Sequence, residues 1–563
     1  MKNKKAICRV LFSIAAGVVM LLAVALKAGI YFQTNDDRII SEVLSGAAGS
    51  SPDAHVVYVN YLLALPLSLL YRITGTVPWY GLFLFFCQAA AYACFLDCLL
   101  EYSKSKWEAA VSVVLTAVYF LFNFSLTGQI QYTSTAAFLA AAGYFCLLLH
   151  EGQDQGKKRL IVFAALELTA FLLRDQAMLM IQPFGVAVLA GLALARRDQS
   201  WKQSLLTVAK PLALVAAIIV TGWLGTLLGY HGEGWKAYDS YNASQTIMFD
   251  YDGKPEYEEV QGILDKYGVT QTEYEAYENY VILDWDITPE CAQELADFAT
   301  EHRSLINFSD IAGKYSQYMW QENFWKINRA IMLLWAMFCV FLLAVRAYSL
   351  LLPAGALLAA KTIVWGYLLY RGRLPLRITL PLFACELAML LVLLILVYRR
   401  GAEKGWQKIL MLCICAVLFY FGFQSGREQY RYVKEQNQGQ QIFMKGMYEI
   451  EDYCRAHPQN RYLVDAYAMN SYKGSVFETK IYKRRNSMVT GSWYSNSPVM
   501  RRWLREYFAD CQDGIRLILF ADGREKEAPA MVYLKEKTGV EPVEEERFTV
   551  SHGGTYVVYY FEF

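Results

Sequence analysis

Long apolar segments dominate the first 425 residues and predict a bundle of membrane-spanning helices. A run of about 18 or more apolar residues is long enough to cross a bilayer as a helix. Eleven spans with lengths near this requirement are predicted, at 7–30, 79–100, 108–124, 133–150, 160–173, 176–195, 204–229, 326–345, 349–370, 378–398 and 408–424. The segment 56–73 is also apolar, but it contains Asn60 and Pro66. We therefore predict that it lies in the membrane interface.

The polar parts of the chain follow two different patterns. The segment 230–325 is rich in Tyr, Asp and Glu and is too long for a simple loop, so it should contain short helices. After residue 425, helix-like stretches alternate with strand-like stretches, which is typical of a small α/β domain. Helix-like stretches are 441–457, 498–509 and 525–537, and strand-like stretches are 461–466, 515–520, 547–551 and 555–561. The predicted fold class is an all-α polytopic membrane protein, residues 1–425, with a C-terminal α/β domain, residues 426–563.

Composition agrees with this class and excludes others. The chain has 563 residues, of which 55% are hydrophobic and 19% charged, and its net charge is +1. Since it has no long basic tract, we expect no nucleic-acid partner. Its twelve cysteines lie mostly in apolar runs, without the close spacing of zinc ligands. The C-terminal part contains no glycine-rich phosphate loop and no HExxH or GxSxG sequence.

Basic loops predict the orientation in the membrane. Lysines at the N-terminus, the pair Lys104 and Lys106, and the cluster 157–159 fall on one side, which the positive-inside rule assigns to the cytoplasm. The segments 31–78 and 230–325 are then outer segments. An odd number of spans also places the C-terminal domain outside the cytoplasm. We therefore predict a multi-pass protein of the cell membrane with a cytoplasmic N-terminus.

Two adjacent carboxylates, Asp36 and Asp37, come shortly after the first span. A carboxylate so close to a membrane either faces water or serves a function, because it is costly to desolvate. Asn35, Asp36 and Asp37 are also good capping residues, so a purely structural role at a helix start is an alternative. On a helix the two aspartates point about 100° apart, so only one is expected to face a cavity.

The arrangement of these segments resembles the GT-C glycosyltransferases, integral-membrane enzymes that use polyprenyl-phosphate sugars, such as the mannosyl- and aminoarabinose transferases. The resemblance covers residues 1–425 and is greatest to bacterial members without an assigned substrate. The short sequences that carry it are Asn35-Asp36-Asp37, Ser51-Pro-Asp-Ala-His55, Tyr58-Val-Asn60, Pro78-Trp-Tyr80, Arg174-Asp175 and Gly372-Arg-Leu-Pro-Leu-Arg377.

The resemblance implies that an acidic residue just beyond the first span is the catalytic carboxylate. A sugar donor with a phosphate leaving group needs no general acid, but the acceptor hydroxyl needs a base. One carboxylate is then sufficient, unlike the pair used by glycoside hydrolases. Asp36 and Asp37 are the candidates in this position, and Asp37 is preferred.

The sequence departs from the family in the outer loop after the third span. Many members have a second acidic residue there, whereas residues 125–132 of this chain contain glutamines and no acid. A shared divalent metal ion is therefore not required by the sequence, although Asp53 and His55 are available as ligands. Both are also predicted substrate-binding residues, and a structural role for His55 at the start of the interfacial helix is the alternative.

Four arginines are candidates for binding the phosphate of the donor. Arg174 ends an apolar span on the outer side, and Arg371, Arg373 and Arg377 lie together in another outer loop. Guanidinium groups bind phosphate oxygens with two parallel hydrogen bonds. The alternatives are contacts of these side chains with lipid head groups and an ion pair between Arg174 and Asp175.

The predicted function is transfer of a sugar from a polyprenyl-phosphate donor to a lipid or cell-wall glycan acceptor on the outer face of the membrane. One alternative is a transporter or flippase for a lipid-linked glycan. Such proteins tend to have repeated halves and charges at the membrane midplane, whereas the charged candidates here gather at one face. The other alternative is a non-catalytic envelope assembly protein that acts through its C-terminal domain.

Overall fold

A computed structural model describes most of the chain. Described residues are 2–47, 49, 51–149, 156–196, 200–303, 307–321, 326–401, 405–470, 472–479, 486–509, 511 and 514–562. Residues 1 and 563 of the predicted domains, residue 150 of a predicted span and residues 304–306 and 322–325 of the predicted outer segment lie outside the described part.

The first membrane part consists of helices joined by short connections. The helices are α1 (Lys2–Ala28), α2 (Asn35–Ser45), α3 (Tyr61–Ile73), α4 (Trp79–Tyr102), α5 (Lys106–Phe122), α6 (Phe124–Gly128), α7 (Tyr132–Leu149), α8 (Gly156–Leu173), α9 (Asp175–Ala195) and α10 (Trp201–Gly229). Two short strands, β1 (Tyr31–Phe32) and β2 (Gln129–Ile130), pair in parallel. They connect the segment after α1 to the segment after α6.

The large polar segment folds into short helices, of which the first four share a hydrophobic core of their own. They are α11 (Glu233–Thr246), α12 (Tyr257–Tyr267), α13 (Gln271–Glu278), α14 (Pro289–His302) and α15 (Phe308–Ser316), with a π-helical turn at Ile247–Asp252. Local capping explains their starts. Thr270 and Thr288 each accept a hydrogen bond from a backbone N–H of the first helical turn, and Pro289 occupies the first position of α14. The expectation of short helices in this segment agrees with these elements.

Four further helices complete the membrane part, and all eleven predicted spans coincide with helices. These four are α16 (Ile327–Val345), α17 (Leu351–Arg371), α18 (Leu376–Gly401) and α19 (Gly405–Ala456). Among the described residues, nine helices are long and apolar enough to cross a membrane. The other two predicted spans coincide with α5 and α8. Helix α3 has 13 residues, or about 20 Å of length, against the roughly 30 Å of a bilayer core.

Several charged side chains between the membrane helices form ion pairs, which offset the cost of burial in an apolar bundle. The Lys361 ammonium lies 2.8 Å from a carboxylate oxygen of Glu386, which also accepts a hydrogen bond from the indole of Trp335. Arg9 of α1 lies 2.7 Å from Asp97 of α4. These pairs hold neighbouring helices in register.

The C-terminal domain contains a mixed five-stranded sheet. Its elements are β3 (Tyr462–Val464), α20 (Ala466–Asn470), β4 (Ser487–Val489), α21 (Pro498–Ala509), β5 (Ile515–Phe520), α22 (Pro529–Thr538), β6 (Val543–Thr549) and β7 (Thr555–Phe561). The strand order is β4-β3-β5-β7-β6, with β4, β3 and β5 parallel and β7 antiparallel to β5 and β6. Alternate residues point to opposite faces. Thus Ile518 packs in the cluster that includes the end of α19, and Leu517 packs in the main core. The predicted fold class, a helical membrane protein with a C-terminal α/β domain, is confirmed.

Helix α19 joins the membrane part to this domain without a break. It has 52 residues, or about 78 Å of helix, and the predicted domain boundary at residue 425 lies inside it. The change in composition there marks a change in the helix's surroundings while the helix itself continues. Its last turns supply Met447 and Ile450 to the core beneath the sheet.

The outer helices α11–α14 contact the C-terminal domain directly. The backbone N–H of Ile282 donates to the carbonyl of Thr490 over 3.0 Å, and Arg501 lies 2.7 Å from Asp284. The hydroxyl of Tyr238 donates to the carbonyl of Trp493 over 3.0 Å. The two regions therefore form a joint cover over the segment that follows α1.

Candidate functional site

Helix α2, which carries both candidate aspartates, is fixed at its start by backbone pairing. Strand β1 directly precedes it and pairs with β2, and the N–H of Gln33 donates to the carbonyl of Ile130 over 2.9 Å. On its other side, the N–H of Phe32 donates to the carbonyl of Gly474 in the C-terminal domain over 3.1 Å. The aspartates therefore lie where the membrane part meets the C-terminal domain.

Asp37 is fully buried and its carboxylate accepts three hydrogen bonds. The donors are the hydroxyl of Tyr80 at 2.8 Å, the backbone N–H of Tyr132 at 3.1 Å and the hydroxyl of Thr34 at 3.3 Å. Burial raises the pKa of Asp37 well above its usual range, and these three hydrogen bonds act in the opposite direction. The carboxylate thus joins α2, α4 and α7, an arrangement that favours a structural role.

Asp36, by contrast, is partly exposed and lies among charged side chains. Burial raises the pKa of its carboxyl group, and the neighbouring Asp250 raises it further. The guanidinium groups of Arg377, Arg174 and Arg373 lower the same pKa, with Arg377 having the largest such effect. A carboxylate with a raised pKa and some access to solvent has the properties of a general base.

Arg174 lies over a stacked pair of tyrosines. Its guanidinium carbon is 4.7 Å from the ring centre of Tyr58 and 5.9 Å from that of Tyr132. The two rings are 5.7 Å apart and nearly parallel. Tyr58 adopts the left-handed backbone conformation, with φ of 74°, which is strained for a residue with a side chain and is typical of functional sites. The ring stack holds the guanidinium beside Asp36 and leaves part of it exposed.

Arg371 and Arg373 are both held by the π-helical turn of the outer segment. Arg373 forms an ion pair with Asp250, and its guanidinium carbon lies 5.4 Å from the ring centre of Tyr251. Arg371 lies 4.2 Å from the same ring centre. Arg377 is in the first turn of α18, where its charge acts on Asp36. Arg373 and Arg377 therefore join Arg174 around Asp36.

A cavity of about 510 Å³ begins at Arg174 and Tyr58 and extends along α9 and α10. Its polar end also includes Asp175 and Asp239. Its other end is apolar and is formed in part by Leu179 and Trp223, which are 42% and 59% exposed on helices long enough to span the membrane. The cavity therefore has a polar end, where Arg174 connects it to the surroundings of Asp36, and an apolar end on the lipid-facing surface.

Asp53 and His55 lie in a tight polar and aromatic cluster beside this cavity, which is also lined by Tyr230 and Trp235. One nitrogen of the His55 ring is 2.6 Å from Asp53, and the other is 3.1 Å from the carbonyl of Gly229. The ring stacks on Trp235 with 5.3 Å between centres. Burial would raise the pKa of Asp53, but hydrogen bonds from His55 and Arg502 lower it overall. Both His55 nitrogens are engaged, which is consistent with the structural alternative for this residue.

The described residues contain no group of three or more His, Cys, Asp or Glu side chains arranged to hold a metal ion. Asp53 and His55 contact each other through the atoms that would bind a metal. Their predicted substrate-binding role stays a prediction.

Several residues of the site were not found by sequence reasoning. Asp250 and Tyr251 come from the outer segment, and Tyr132 from the end of the loop that lacks an acid. These residues are ordinary polar and aromatic positions in the sequence. Only their approach to Asp36 and the arginines marks them as part of the site.

No protein-family model matches the chain, and no curated protein sequence is significantly similar to it. Among solved structures, the chain is similar to a crystal structure of ArnT from Cupriavidus metallidurans bound to undecaprenyl phosphate, with 12% sequence identity and a TM-score of 0.37. It is also similar to the same protein in the apo state, with 11% identity and a TM-score of 0.37. Each alignment covers 98% of this chain and 97% of the other.

Proposed function

We propose that this membrane protein is a glycosyltransferase that moves a sugar from a polyprenyl-phosphate donor to a cell-envelope glycan or lipid acceptor. Asp36 is the base, and Arg174, Arg373 and Arg377 bind the donor phosphate. The observation that carries the proposal is the position of Asp36 among these arginines, one of which, Arg174, also lines a cavity with apolar, lipid-facing residues at its other end.

The two ends of the cavity fit the two parts of such a donor. A polyprenyl chain is apolar and stays in the bilayer, while its phosphate carries negative charge and stays at the interface. Arg174 provides a cation at the interface, held by the rings of Tyr58 and Tyr132. Leu179 and Trp223 provide apolar contact at the lipid-facing end.

The proposed reaction needs one base and one cationic site. The Asp36 carboxylate takes the proton of the acceptor hydroxyl while that oxygen bonds to the anomeric carbon of the donor sugar. The bond between this carbon and the phosphate oxygen breaks, and the oxygen keeps the electron pair. The arginines stabilise the charge of the released lipid phosphate. No general acid is required, because a phosphate leaves without being protonated.

Asp36 replaces Asp37 as the preferred base in this proposal. Asp37 is fully buried and its carboxylate already accepts three hydrogen bonds. A substrate hydroxyl would have to displace one of these donors to reach it. Asp36 is partly exposed, and the charges of the three arginines lower the pKa of its carboxyl group.

The proposal can be tested with the purified full-length protein in lipid nanodiscs. The donors are synthetic undecaprenyl-phosphate hexoses and pentoses, supplied with a bacterial envelope extract as the source of acceptor. Mass spectrometry should detect free undecaprenyl phosphate with the wild type and not with Asp36→Asn. The exposed Asp310→Asn is a matched control that should behave as the wild type.

Two results would contradict the proposal: no release from any of these donors, or equal release by Asp36→Asn. A transporter or flippase would move the lipid without cleaving it, so it would give no free undecaprenyl phosphate. A non-catalytic assembly protein would also give none.

A further inference from the structure

A second cavity, of about 520 Å³, lies in the C-terminal domain, away from the lipid-facing one. It opens at the carboxyl ends of the parallel strands β3 and β5, where it is lined by Asp465 and Asp522. The chain leaves β3 for β4 on one side and later returns to β5 on the other side. In α/β sheets, such a reversal of strand order leaves a crevice in which ligands bind.

Exposed aromatic rings surround this cavity. Phe443, Tyr467 and Phe520 line it and are 44%, 53% and 46% exposed. The ring of Phe520 also meets that of Tyr556 edge-on at 5.5 Å. Large aromatic side chains gathered at a polar surface opening are typical of a binding site. Their faces can stack on another flat, weakly polar group.

The charged side chains of the cavity are mainly acidic. Carboxylates come from Asp465, Asp522, Glu525 and Glu527, and Arg524 is the guanidinium among the lining residues. Asp522 and Arg524 lie 3.6 Å apart, so part of that positive charge is already balanced. This lining repels phosphates and other anions. Carboxylate oxygens are good acceptors for hydroxyl groups.

We propose that this cavity binds an uncharged saccharide. The apolar C–H face of a sugar ring stacks on an aromatic ring such as Phe520, and the sugar hydroxyls donate to carboxylates such as Asp522. The same features fit an anionic ligand poorly, since four acidic side chains line the cavity.

The cavity is close to the proposed reaction centre. The hydroxyl of Tyr467, on its rim, donates to Asn279 over 3.0 Å. The ring of the next residue, Tyr280, meets that of Phe249 edge-on at 5.2 Å, and Phe249 precedes Asp250, the partner of Arg373. Tyr280 also has a left-handed backbone, with φ of 59°. We therefore assign the bound saccharide to the acceptor, an assignment that rests on the proposed function, whereas the binding itself does not.

The test measures binding directly, with full-length protein in nanodiscs and the Asp36→Asn variant, so that no transfer occurs. Saturation-transfer NMR is recorded with chitotriose and mannotriose as uncharged probes, trigalacturonate as an anionic probe and glucosamine as a cationic probe. We expect a signal from at least one uncharged trisaccharide and none from trigalacturonate. Phe520→Leu and Asp522→Asn should each weaken this binding about 3- to 10-fold, because each removes one stacking or hydrogen-bonding contact.

The matched control is Phe308→Leu, the same change at a ring that is 84% exposed on α15, and it should bind as the parent does. The proposal is overturned if neither uncharged trisaccharide binds, if only glucosamine or trigalacturonate binds, or if both cavity variants bind as the parent does. Binding without any transfer by the wild type would contradict the proposed function and leave the saccharide site standing.

Discussion

The two cavities of this protein have nearly equal volumes, about 510 and 520 Å³, but their linings differ in charge and in surroundings. The cavity beside α9 and α10 has Arg174 at its polar end and lipid-facing apolar residues at its other end. The cavity of the C-terminal domain combines four carboxylates with exposed aromatic rings. Volume alone therefore does not distinguish their ligands, whereas the lipid-facing apolar part of the first cavity and the four carboxylates of the second do.

The difference also suggests which substrate, donor or acceptor, each cavity binds. An anionic lipid phosphate is stabilised by guanidinium groups, and an uncharged hydroxyl-bearing molecule is bound by carboxylates and rings. Arg174 connects Asp36 to the first cavity, and Tyr467, through Asn279 and Tyr280, connects the second cavity to the outer segment that carries Asp250. We infer that donor and acceptor approach Asp36 from these two directions.

The strongest test of this division is the base itself. Asp36→Asn keeps the shape of the side chain and removes its ability to take a proton. Turnover should fall about 10²- to 10⁴-fold, the usual contribution of a general base. Rates of undecaprenyl phosphate release in nanodiscs measure this, with Asp310→Asn as control. Wild-type turnover in Asp36→Asn would show that Asp36 is not the base.

The next largest effect is expected at the cavity lined by Arg174. Arg174→Ala removes a charged contact to the donor phosphate and should raise the donor KM about 10- to 150-fold, equivalent to about 1.5–3 kcal/mol. The acceptor KM should change little, since the acceptor is assigned to the other cavity. Steady-state kinetics with each substrate varied in turn separates the two. Arg505→Ala, at an exposed position in α21, is the control. Equal increases in both KM values would contradict the division of the site.

The substitution Asp37→Asn should lower the stability of the fold more than it lowers turnover. In Asp37→Asn, one acceptor oxygen is replaced by an N–H₂ group that cannot accept from Tyr80, Tyr132 or Thr34. The expected loss of stability is about 1–3 kcal/mol, the cost of leaving a buried donor unpaired. A thermal unfolding scan in detergent should therefore show a lower Tm, with turnover per folded molecule largely retained. Loss of turnover with an unchanged Tm would instead make Asp37 the base, as first predicted from the sequence.

The smallest expected effect is a shift in pH dependence. Arg377 lowers the pKa of Asp36, so Arg377→Ala should raise that pKa. A base with a higher pKa stays protonated up to a higher pH, so activity is lost sooner as the pH falls. The acidic limb of the kcat/KM profile should therefore move to higher pH in Arg377→Ala. An unchanged limb would mean that Arg377 does not act on the base.

Much of the fold was predictable because apolar length and periodicity are local properties of a sequence. All eleven predicted spans coincide with helices, and β5 (Ile515–Phe520) and β7 (Thr555–Phe561) agree with their predicted ranges. Strand β4 was not predicted, because Ser487–Val489 has only three residues and no visible alternation. The boundary at residue 425 was predicted from a change in composition, but helix α19 continues through it.

The candidate site was predictable only in part. The sequence placed Asp36 and Asp37 after the first span and Arg174 at the end of another, because charged residues next to apolar runs are conspicuous. It could not distinguish the two aspartates, since neighbouring residues have nearly the same sequence surroundings. Their difference depends on Tyr80 and Tyr132, which are distant in sequence and donate hydrogen bonds to the carboxylate of Asp37.

The sequence by itself determined which segments are membrane helices and where the composition changes to that of an α/β domain. It also determined which charged residues are available near the outer ends of the spans. These features follow from local hydrophobicity, which each segment carries independently of its neighbours. Only the tertiary structure decided that Asp36 faces the arginines, that Asp250 pairs with Arg373 and that the acidic cavity forms between β3 and β5. Each of these depends on contacts between segments far apart in the chain, which packing selects and local pattern does not encode.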